Sequence, residues 1–546
     1  MFAIRKKKKN VGDVSNLRAV VIFCIIMFCI AVCCLQIVLI NILQSDTVSE
    51  AIISKSLTLG ESRGMIYDSE FNKMVCNEYS YISAVKPTVE SLKQIRALVD
   101  DITYSRAVES VYSQSPFLIK TDCYIKSEEV ICEKIYKRYS NNQLAAHLIG
   151  YTDSNGKNGI CGIELAYDSV LKKYDGAVKS RFFTNGKGSV MLGYEGERIN
   201  ENYNSPGGIV LTIKNEYQRA LENAMDKNEL NKGAGVVVSI KTGEVAAIAS
   251  RPNYNPNSIS DYIKDSDSSL FNRAFGEYPI GSVFKPLVAA SALEQGTDPE
   301  DEFYCTGTIG NGSSEFRCTR SHGNVNMATA LVFSCNCYFI DLIEKIDYTQ
   351  VIDLAASLGF GNRIMLDENI GTSSGALPKT DELDSYASRA NLSFGQGKIS
   401  ATPFHIANLY AMLANGGDFR KTFLIKGVCD GQGNFDQTYE LKPPYKLISE
   451  KNAELLCDIL ELAVREGTGQ SAKVSGINVA GKTATAQSGK FIEGKERLVT
   501  WFAGFFPYEN PEYVAVIVCE DGESGSKDCA PVFSDFVESL YFKTNL

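Results

Sequence analysis

A serine and a lysine three residues apart stand at the predicted start of a helix, within the segment 281–285 (G-S-V-F-K). Residues three apart share one face of a helix, so the Lys285 amine can lie beside the Ser282 hydroxyl. A serine hydroxyl is a weak nucleophile that needs an adjacent base, and a partly desolvated lysine can lose its proton and act as that base. The spacing alone is weak evidence, because S-x-x-K occurs by chance in most long proteins.

Two further motifs follow this pair along the chain. The segment 334–336 (S-C-N) begins 52 residues after Ser282, and the segment 482–484 (K-T-A) begins 148 residues after Ser334. A second hydroxyl and an amide can relay a proton and hold a substrate backbone. A lysine and a threonine on a strand edge can bind a substrate carboxylate. Together the three motifs indicate a serine nucleophile activated by a lysine base.

The elements that must position these motifs are five predicted strands and one closing helix. The first two strands, 235–240 and 245–250, form a hairpin across the short turn 241–244. The other elements lie far downstream: strands at 479–485, 500–506 and 513–519, and a helix beginning near Pro531. About 230 mostly helical residues separate the second strand from the third. We therefore expect an α+β domain with a five-stranded antiparallel sheet, a large helical insertion and a terminal helix.

Two other matches indicate different chemistry, and both lack the context that they require. The segment 476–483 fits the phosphate-loop pattern G-x-x-x-x-G-K-[ST], which needs a buried strand before it and a helix after it. Here a polar stretch precedes the segment and a predicted strand follows it. The segment 371–375 fits the nucleophile elbow G-x-S-x-G without its strand–turn–helix setting. We expect neither nucleotide binding nor an elbow serine.

The composition is that of a multidomain globular protein, with 546 residues of which 44% are hydrophobic and 22% charged. These values exclude a disordered, collagen-like or small disulfide-framework protein. The net charge of −10 is unevenly distributed, because the first 18 residues carry +5 and the rest of the chain carries −15. An acidic main part argues against nucleic-acid binding.

Residues 19–43 are almost wholly apolar and long enough to cross a hydrocarbon core of ~30 Å. A cleaved signal peptide is the alternative, but its apolar region is only about 7–15 residues long and residues 43–45 (L-Q-S) form a poor cleavage site. We expect a retained single-pass anchor in the cell membrane, with the basic tail in the cytoplasm and the chain after about residue 45 outside the cell. The expected organisation is a cytoplasmic tail (1–18), a transmembrane helix (19–43), an irregular α+β module (44–204) and the sheet domain (205–546).

In order and spacing the three motifs resemble those of the class B penicillin-binding proteins, the membrane-anchored peptidoglycan D,D-transpeptidases of the cell-division and sporulation type. Other family-like segments are 63–68 (R-G-M-I-Y-D), 145–150 (A-A-H-L-I-G), 162–164 (G-I-E), 211–213 (L-T-I), 241–245 (K-T-G-E-V), 272–274 (N-R-A) and 393–397 (S-F-G-Q-G). The resemblance implies a pedestal domain over 44–204 and a transpeptidase domain of the penicillin-binding and serine β-lactamase type over 205–546. We recognise no glycosyltransferase domain, which fits class B.

The resemblance also implies a role for each site residue. The implied catalytic residues are the nucleophile Ser282, its base Lys285, the proton shuttle Ser334 and the positioning amide Asn336. The implied substrate-binding residues are Lys482 and Thr483 for the terminal carboxylate, and Thr485, whose backbone N–H shares the oxyanion hole with that of Ser282. Two positions depart from the family pattern: Ala484 replaces a glycine and Ile280 stands where proline is usual. Both departures bear on substrate affinity and β-lactam susceptibility.

The implied reaction cross-links peptidoglycan stem peptides. Attack by Ser282 on a D-Ala-D-Ala terminus releases the last D-Ala, and an amine of a second stem takes the acyl group. β-Lactams acylate the same serine. The implied partners are a lipid-linked precursor, a polytopic membrane glycosyltransferase and other division or elongation proteins, with no cofactor, metal or nucleic acid. Two alternatives stay open: a β-lactamase or β-lactam sensor on the same fold, and a weakly active scaffold of a division or sporulation complex.

Four of the sixteen cysteines lie in the apolar segment and twelve lie beyond it. Disulfides form outside the cell, but a scattered dozen in a large domain equally fits buried free thiols. Cys305 and Cys318 bracket a polar Gly-rich loop and are the best disulfide candidates. Cys335 lies inside a site motif, which raises the hypothesis that its reduction state tunes activity. No metal-ligand spacing is found at the three histidines, His147, His322 and His405.

Overall fold

The computed structural model describes most of the chain. The described residues are 12–43, 54–185, 187–191, 193–310, 312, 315–492 and 494–542, with the side chains of the first segment described over 19–39. The predicted basic tail, 1–18, lies outside the described residues apart from the backbone of 12–18.

Helices and strands alternate along much of the described chain. The helices are α1 (Gly12–Leu43), α2 (Val89–Ile95), α3 (Asp101–Tyr112), α4 (Ala146–Ile149), α5 (Gly162–Ala166), α6 (Asp168–Lys172), α7 (Asn215–Lys227), α8 (Lys285–Glu294), α9 (Met327–Val332), α10 (Asn336–Lys345), α11 (Tyr348–Ser357), α12 (Tyr386–Ser393), α13 (Pro403–Ala414), α14 (Glu450–Arg465), α15 (Gly525–Asp528) and α16 (Ala530–Tyr541). The strands are β1 (Ser54–Ser62), β2 (Met65–Tyr67), β3 (Glu78–Val85), β4 (Phe117–Thr121), β5 (Val130–Lys137), β6 (Gly176–Phe183), β7 (Glu197–Glu201), β8 (Gly208–Leu211), β9 (Gly233–Ser239), β10 (Val245–Arg251), β11 (Phe303–Cys305), β12 (Thr308–Ile309), β13 (Phe316–Arg317), β14 (Gly323–Val325), β15 (Asp418–Phe419), β16 (Ile425–Cys429), β17 (Phe435–Thr438), β18 (Tyr445–Lys446), β19 (Ala480–Ile492), β20 (Lys495–Phe506) and β21 (Tyr513–Glu520).

The first helix, α1, contains the predicted membrane span. Its segment Ala19–Leu39 is long and apolar enough to cross a bilayer, and among the described helices it alone meets that test. The side chains of this segment are exposed all round. A helix that is apolar on every face is stable when lipid covers it. The helix therefore fits a single-pass anchor.

The chain divides into two compact units whose segments interleave. The smaller unit comprises 1–61, 80–135 and 177–203, and the larger comprises 62–79, 136–176 and 204–546. The predicted boundary between pedestal and transpeptidase domains, at 204–205, lies beside the last crossing of the chain from the smaller unit to the larger. The limits of the two domains stay a prediction.

The smaller unit contains two three-stranded sheets, with strand orders β1-β6-β7 and β4-β3-β5. Leu59, Val178 and Phe182 pack together in one apolar cluster. Residues of α2 and α3, including Ile95 and Ala107, pack with Ile119 of β4 in another. These small cores fit the irregular α+β module that the sequence predicts for this region.

The larger unit is built on an antiparallel sheet of five strands in the order β10-β9-β21-β20-β19. The five strands and the closing helix α16 are those predicted from the sequence, and the helical insertion lies between β10 and β19. Val236 and Val238 pack into the core that includes the inserted helices, whereas Val237 packs into the core that includes α16. Burial on both faces explains why these strands are continuous apolar runs rather than alternating patterns.

A second sheet of the larger unit has the order β17-β16-β8-β2, with β2 parallel to β8. The chain enters β2 through Arg63, which is buried and pairs with Glu164 at 2.9 Å and Asp168 at 2.6 Å. Arg138 donates to the other Glu164 oxygen at 2.7 Å. Burial by itself would raise the pKa of Glu164. The guanidinium groups of Arg138 and Arg63 have the larger effect, so the pKa of Glu164 is lowered. Two family-like motifs distant in sequence therefore meet in a buried ion-pair network.

Candidate active site

Ser282 lies on a short 3-10 turn, Gly281–Phe284, that runs directly into α8. Gly281 has φ +62°, and its N–H donates to the Gly395 carbonyl at 2.8 Å. A Cβ at position 281 would lie 3.3 Å from the Cβ of Ala486, so a side chain there would be strained and crowded. The residues on either side of Ser282 are buried and Ser282 itself is half-buried. The turn thus presents one hydroxyl at the surface of a buried element.

Lys285 is the first residue of α8, and its side chain is fully buried. Its amine donates to three oxygens: the Ser334 carbonyl at 2.9 Å, the Ser334 hydroxyl at 3.2 Å and Asn336 Oδ1 at 2.7 Å. An ammonium group has three N–H donors, so these acceptors match the protonated form. Burial nevertheless lowers the pKa of Lys285 to about 8. At pH 7 about a tenth of such a lysine is neutral.

Ser334 connects Lys285 to the serine on the turn. Its hydroxyl donates to Ser282 Oγ at 3.0 Å and accepts from the Lys285 amine. Ser334 lies between α9 and α10 with φ +59°, a left-handed conformation that costs a non-glycine residue about 1 kcal/mol. Two hydroxyls and one amine therefore form a continuous hydrogen-bonded path. Protons move readily along such a path when the hydroxyls reorient.

Lys482 and Thr483 lie on β19 and form a second group. Lys482 is fully buried and donates to Thr468 Oγ1 at 3.2 Å and to the Thr483 carbonyl at 3.2 Å. Thr483 Oγ1 donates to the same Thr468 hydroxyl at 2.9 Å. Burial, and then the nearby Lys285 cation, hold the pKa of Lys482 well below its usual value. The two groups are thus close enough for their charges to interact.

Thr468 is a residue that the sequence interpretation missed. It follows α14 in the segment 466–470 (E-G-T-G-Q), and its N–H donates to the Val332 carbonyl at 3.2 Å. A threonine between two glycines is typical of a tight loop, which is a signal too common to mark a site. Only the fold brings it to Lys482.

Thr485 is exposed on β19, which is the edge strand of the sheet. An edge strand leaves backbone N–H and C=O groups free to pair with an extended peptide. Ala484 is nearly buried, and its methyl group lies 3.5 Å from the position that a Cβ on Gly281 would take. The extra methyl at this position therefore packs beneath the turn that carries Ser282. Ile280 is likewise buried.

The structure brings the predicted site residues into two neighbouring hydrogen-bonded groups and one exposed edge position. The first group contains Ser282, Lys285, Ser334 and Asn336, the second contains Lys482 and Thr483, and the edge position is Thr485. The segment 476–483 runs into β19 rather than into a helix, and 371–375 lies outside helices and strands. Neither segment therefore has the strand and helix context that its motif requires.

Two of the histidines lie in structural positions. His147 contacts the Ser269 carbonyl through Nε2 at 2.6 Å, and burial lowers its pKa to about 4. His405 caps the start of α13, where its Nδ1 accepts from the Thr402 N–H at 3.1 Å. Trp501 is fully buried on β20 and donates to the Pro279 carbonyl at 2.9 Å, so it is a packing residue of the sheet.

Comparison with known proteins identifies relatives with this arrangement of elements. Residues 233–538 match the family model described as the penicillin binding protein transpeptidase domain. Stage V sporulation protein D of Bacillus subtilis is 27% identical over 511 residues, covering 87% of this chain and 76% of that protein. The peptidoglycan D,D-transpeptidase FtsI of Escherichia coli is 26% identical over 430 residues, covering 76% and 68%. Penicillin-binding protein 3 of Mycobacterium tuberculosis, solved with aztreonam, superposes with a TM-score of 0.65 at 22% identity over 90% of this chain and 98% of that chain.

Proposed function

The chain belongs to the penicillin-binding protein transpeptidase family, and on this premise we propose that Ser282 is the nucleophile of its acyl transfer. The protein is a class B peptidoglycan D,D-transpeptidase, a serine-type acyltransferase that cross-links stem peptides ending in D-Ala-D-Ala. The observation that carries the proposal is the hydrogen-bonded path from Lys285 through Ser334 to Ser282.

In the first half of the reaction Ser282 Oγ attacks the carbonyl carbon of the penultimate D-Ala. The hydroxyl proton moves to Ser334, and the Ser334 proton moves to neutral Lys285. The peptide C–N bond then breaks, and the departing amine of the last D-Ala takes a proton back along the same path. An ester between Ser282 and the stem peptide remains. A pKa of about 8 suits Lys285 to both directions of this transfer.

In the second half an amine of another stem attacks the ester. Its proton leaves by the Ser334–Lys285 path, and the Ser282 alkoxide takes a proton as the new peptide bond forms. The backbone N–H groups of Ser282 and Thr485 stabilise the oxyanion of each tetrahedral intermediate. The edge position of β19 supports this role for Thr485, because an edge strand keeps N–H groups free for a substrate.

Lys482 and Thr483 bind the terminal carboxylate of the donor stem. The supporting observation is the buried Lys482 amine beside the Thr483 hydroxyl, both bonded to Thr468. A carboxylate arriving next to Lys482 favours the charged ammonium and offsets the cost of burial. Asn336 accepts from Lys285 at 2.7 Å and donates one amide N–H to the Arg317 carbonyl at 3.4 Å, so its second amide N–H serves the substrate backbone.

The anchor helix and the domain order suggest the setting of the reaction. The basic tail 1–18 lies in the cytoplasm, and the pedestal (44–204) and transpeptidase domain (205–546) lie outside the cell. A polytopic membrane glycosyltransferase supplies the glycan strands, together with other division or elongation proteins. The recognised domain over 233–538 is a transpeptidase domain, which supports a separate source of glycan strands.

Labelling with a fluorescent penicillin tests the nucleophile. The wild-type chain in detergent takes up one label that persists, whereas Ser282→Ala takes up none. Ser373→Ala, which removes the serine of the rejected elbow motif, is the matched control and keeps full labelling. Labelling of Ser282→Ala would overturn the assignment. Rapid loss of the label, together with hydrolysis of free penicillin, would indicate a β-lactamase instead. Absence of labelling in the wild type would indicate a scaffold.

A further inference from the structure

Three cysteines and one histidine converge beside the S-C-N motif of the site. Cys305 ends β11, Cys318 follows β13, His322 precedes β14, and Cys335 lies between Ser334 and Asn336. The potential ligand atoms of these four residues all lie within 4.8 Å of one another. The two short antiparallel pairs β11–β14 and β12–β13 carry three of the four side chains to this point.

Three of the six distances between potential ligand atoms in this cluster match those around one tetrahedral ion. The Sγ atoms of Cys305 and Cys318 are 3.9 Å apart, those of Cys318 and Cys335 are 3.7 Å apart, and Cys305 Sγ is 3.6 Å from His322 Nδ1. Around a zinc ion with Zn–S of about 2.3 Å and Zn–N of about 2.0 Å, tetrahedral geometry separates two sulfurs by about 3.8 Å and sulfur from nitrogen by about 3.5 Å.

The same distances contradict the predicted disulfide. A disulfide joins its sulfurs at roughly 2.05 Å, whereas Cys305 and Cys318 are free in the structure. The prediction was right that the two side chains meet and wrong about the bond. The bond was predicted wrongly because the spacing of Cys305 and Cys318 in the sequence indicates only that the two ends of their loop meet. It does not reveal that the thiol of Cys335 and the imidazole of His322 lie at the same point.

The surroundings of the cluster favour a bound cation. The backbone N–H groups of Asn336 and Cys337 donate to Cys318 Sγ at 3.1 and 3.3 Å, as they would to a thiolate. Cys305 and Cys335 are fully buried. His322 directs Nδ1 at the thiols, and its buried Nε2 has no hydrogen-bond partner among the described residues.

We propose that Cys305, Cys318, His322 and Cys335 bind one Zn²⁺ ion and that this ion fixes the S-C-N motif in its active geometry. Three thiolates and one imidazole in a closed shell are the ligand set of structural zinc sites, which leave no position for substrate. The three thiols give up their protons to solvent as the ion binds. His322 thus belongs to a metal-type cluster, against the expectation from its spacing.

The link to the active site is direct because Cys335 separates the two catalytic side chains of its motif. Ser334 is in a left-handed conformation, and Asn336 holds the Lys285 amine at 2.7 Å. An ion bonded to Cys335 and also to Cys305, Cys318 and His322 restrains both neighbours of Cys335. This positioning role rests on the proposed function, whereas the binding of zinc does not.

Metal analysis of the full-length protein in detergent tests the site. We expect one zinc per chain in the wild type, and less than a tenth of that in Cys335→Ser and Cys318→Ser. Cys337→Ser, which changes a buried thiol two residues from Cys335 without removing a ligand, keeps its zinc. Wild-type protein that contains no zinc and takes none up from equimolar Zn²⁺ would falsify the proposal, as would zinc loss from Cys337→Ser equal to that from Cys335→Ser. A disulfide between Cys305 and Cys318, found by mass spectrometry of the wild-type protein, would also rule out the zinc site.

Cobalt substitution gives a test that needs no variant. Wild-type protein stripped with a chelator and loaded with Co²⁺ should show the intense visible and thiolate-to-metal absorption of a tetrahedral site with sulfur ligands. An octahedral spectrum without thiolate bands rejects the ligand set.

The positioning role is tested by the rate of penicillin acylation. Chelation should slow acylation at least tenfold, and equimolar Zn²⁺ but not Mg²⁺ should restore it, with the thermal midpoint recorded alongside. Unchanged acylation in zinc-free, folded protein rejects the positioning role. Ser282→Ala separates the two proposals, because it should lose labelling and keep its zinc.

Discussion

The hydroxyl of Ser334 lies 3.0 Å from the hydroxyl of Ser282, although the two residues are 52 positions apart in the chain. Ser334 makes this contact with its backbone in the left-handed conformation. Strain of this kind persists where the surrounding structure fixes the residue for a purpose.

Replacing Ser334 should separate catalysis from stability. Ser334→Ala and Ser334→Gly both remove the hydroxyl, and each should slow penicillin acylation about 100-fold or more, the size of a general acid–base contribution. Ser334→Gly should be more stable than Ser334→Ala by about 1 kcal/mol, because glycine adopts φ +59° without penalty. Stopped-flow acylation and thermal unfolding measure the two effects. Equal acylation in wild type and Ser334→Gly would exclude the relay.

The pH dependence of acylation should report Lys285. Burial lowers its pKa from 10.5 to about 8, and the neutral amine is the base. Acylation should therefore become about tenfold faster per pH unit below pH 8 and level off above it. Lys285→Arg keeps a cation but cannot give up its proton, so its acylation should be low at every pH; a pH-independent wild-type rate contradicts the assignment.

Thr468 should matter for substrate binding. Thr468→Val keeps the volume and removes the hydroxyl that contacts Lys482 and Thr483. A hydrogen bond to a charged group contributes about 1.5–3 kcal/mol, so the acylation efficiency should fall at least about tenfold. Thr468→Ser retains the hydroxyl and serves as the matched control. Equal efficiencies for the valine and serine variants would show that the hydroxyl has no role.

The ion-pair network around Glu164 should be essential to the larger unit. Glu164→Gln removes the buried carboxylate shared by Arg63, which is buried, and Arg138, which is partly buried, and breaking a buried ion pair typically costs about 3–5 kcal/mol. The thermal midpoint of the full chain should fall accordingly. Glu523→Gln removes the partner of Lys527 at an exposed pair and should leave the midpoint unchanged. Equal effects of the two substitutions would refute the network's importance.

The sequence predicted the parts of this protein that depend on local patterns. Continuous apolar runs in the sequence identify the strands β9 and β21. The pairing of Ser282 with Lys285 also follows from local sequence, because the two residues are one helical turn apart. Thr468 could not be found in this way, because its contact with Lys482 depends on how α14 meets β19. The cysteine–histidine cluster could not be predicted from the sequence either. The pairing of β11 with β14, rather than a fixed spacing in the sequence, brings His322 to Cys305.

The parallel pairing of β2 with β8 has a consequence for how the protein can be divided. Met65–Tyr67 and the segment 136–176 belong to the compact unit that contains the catalytic sheet. A truncated chain that begins at residue 205 would therefore lose a strand and the whole Arg63–Glu164 network, and would expose the edge of β8. A fragment that keeps this unit whole has to begin at or before residue 62, because the unit is assembled from three separate segments of the chain.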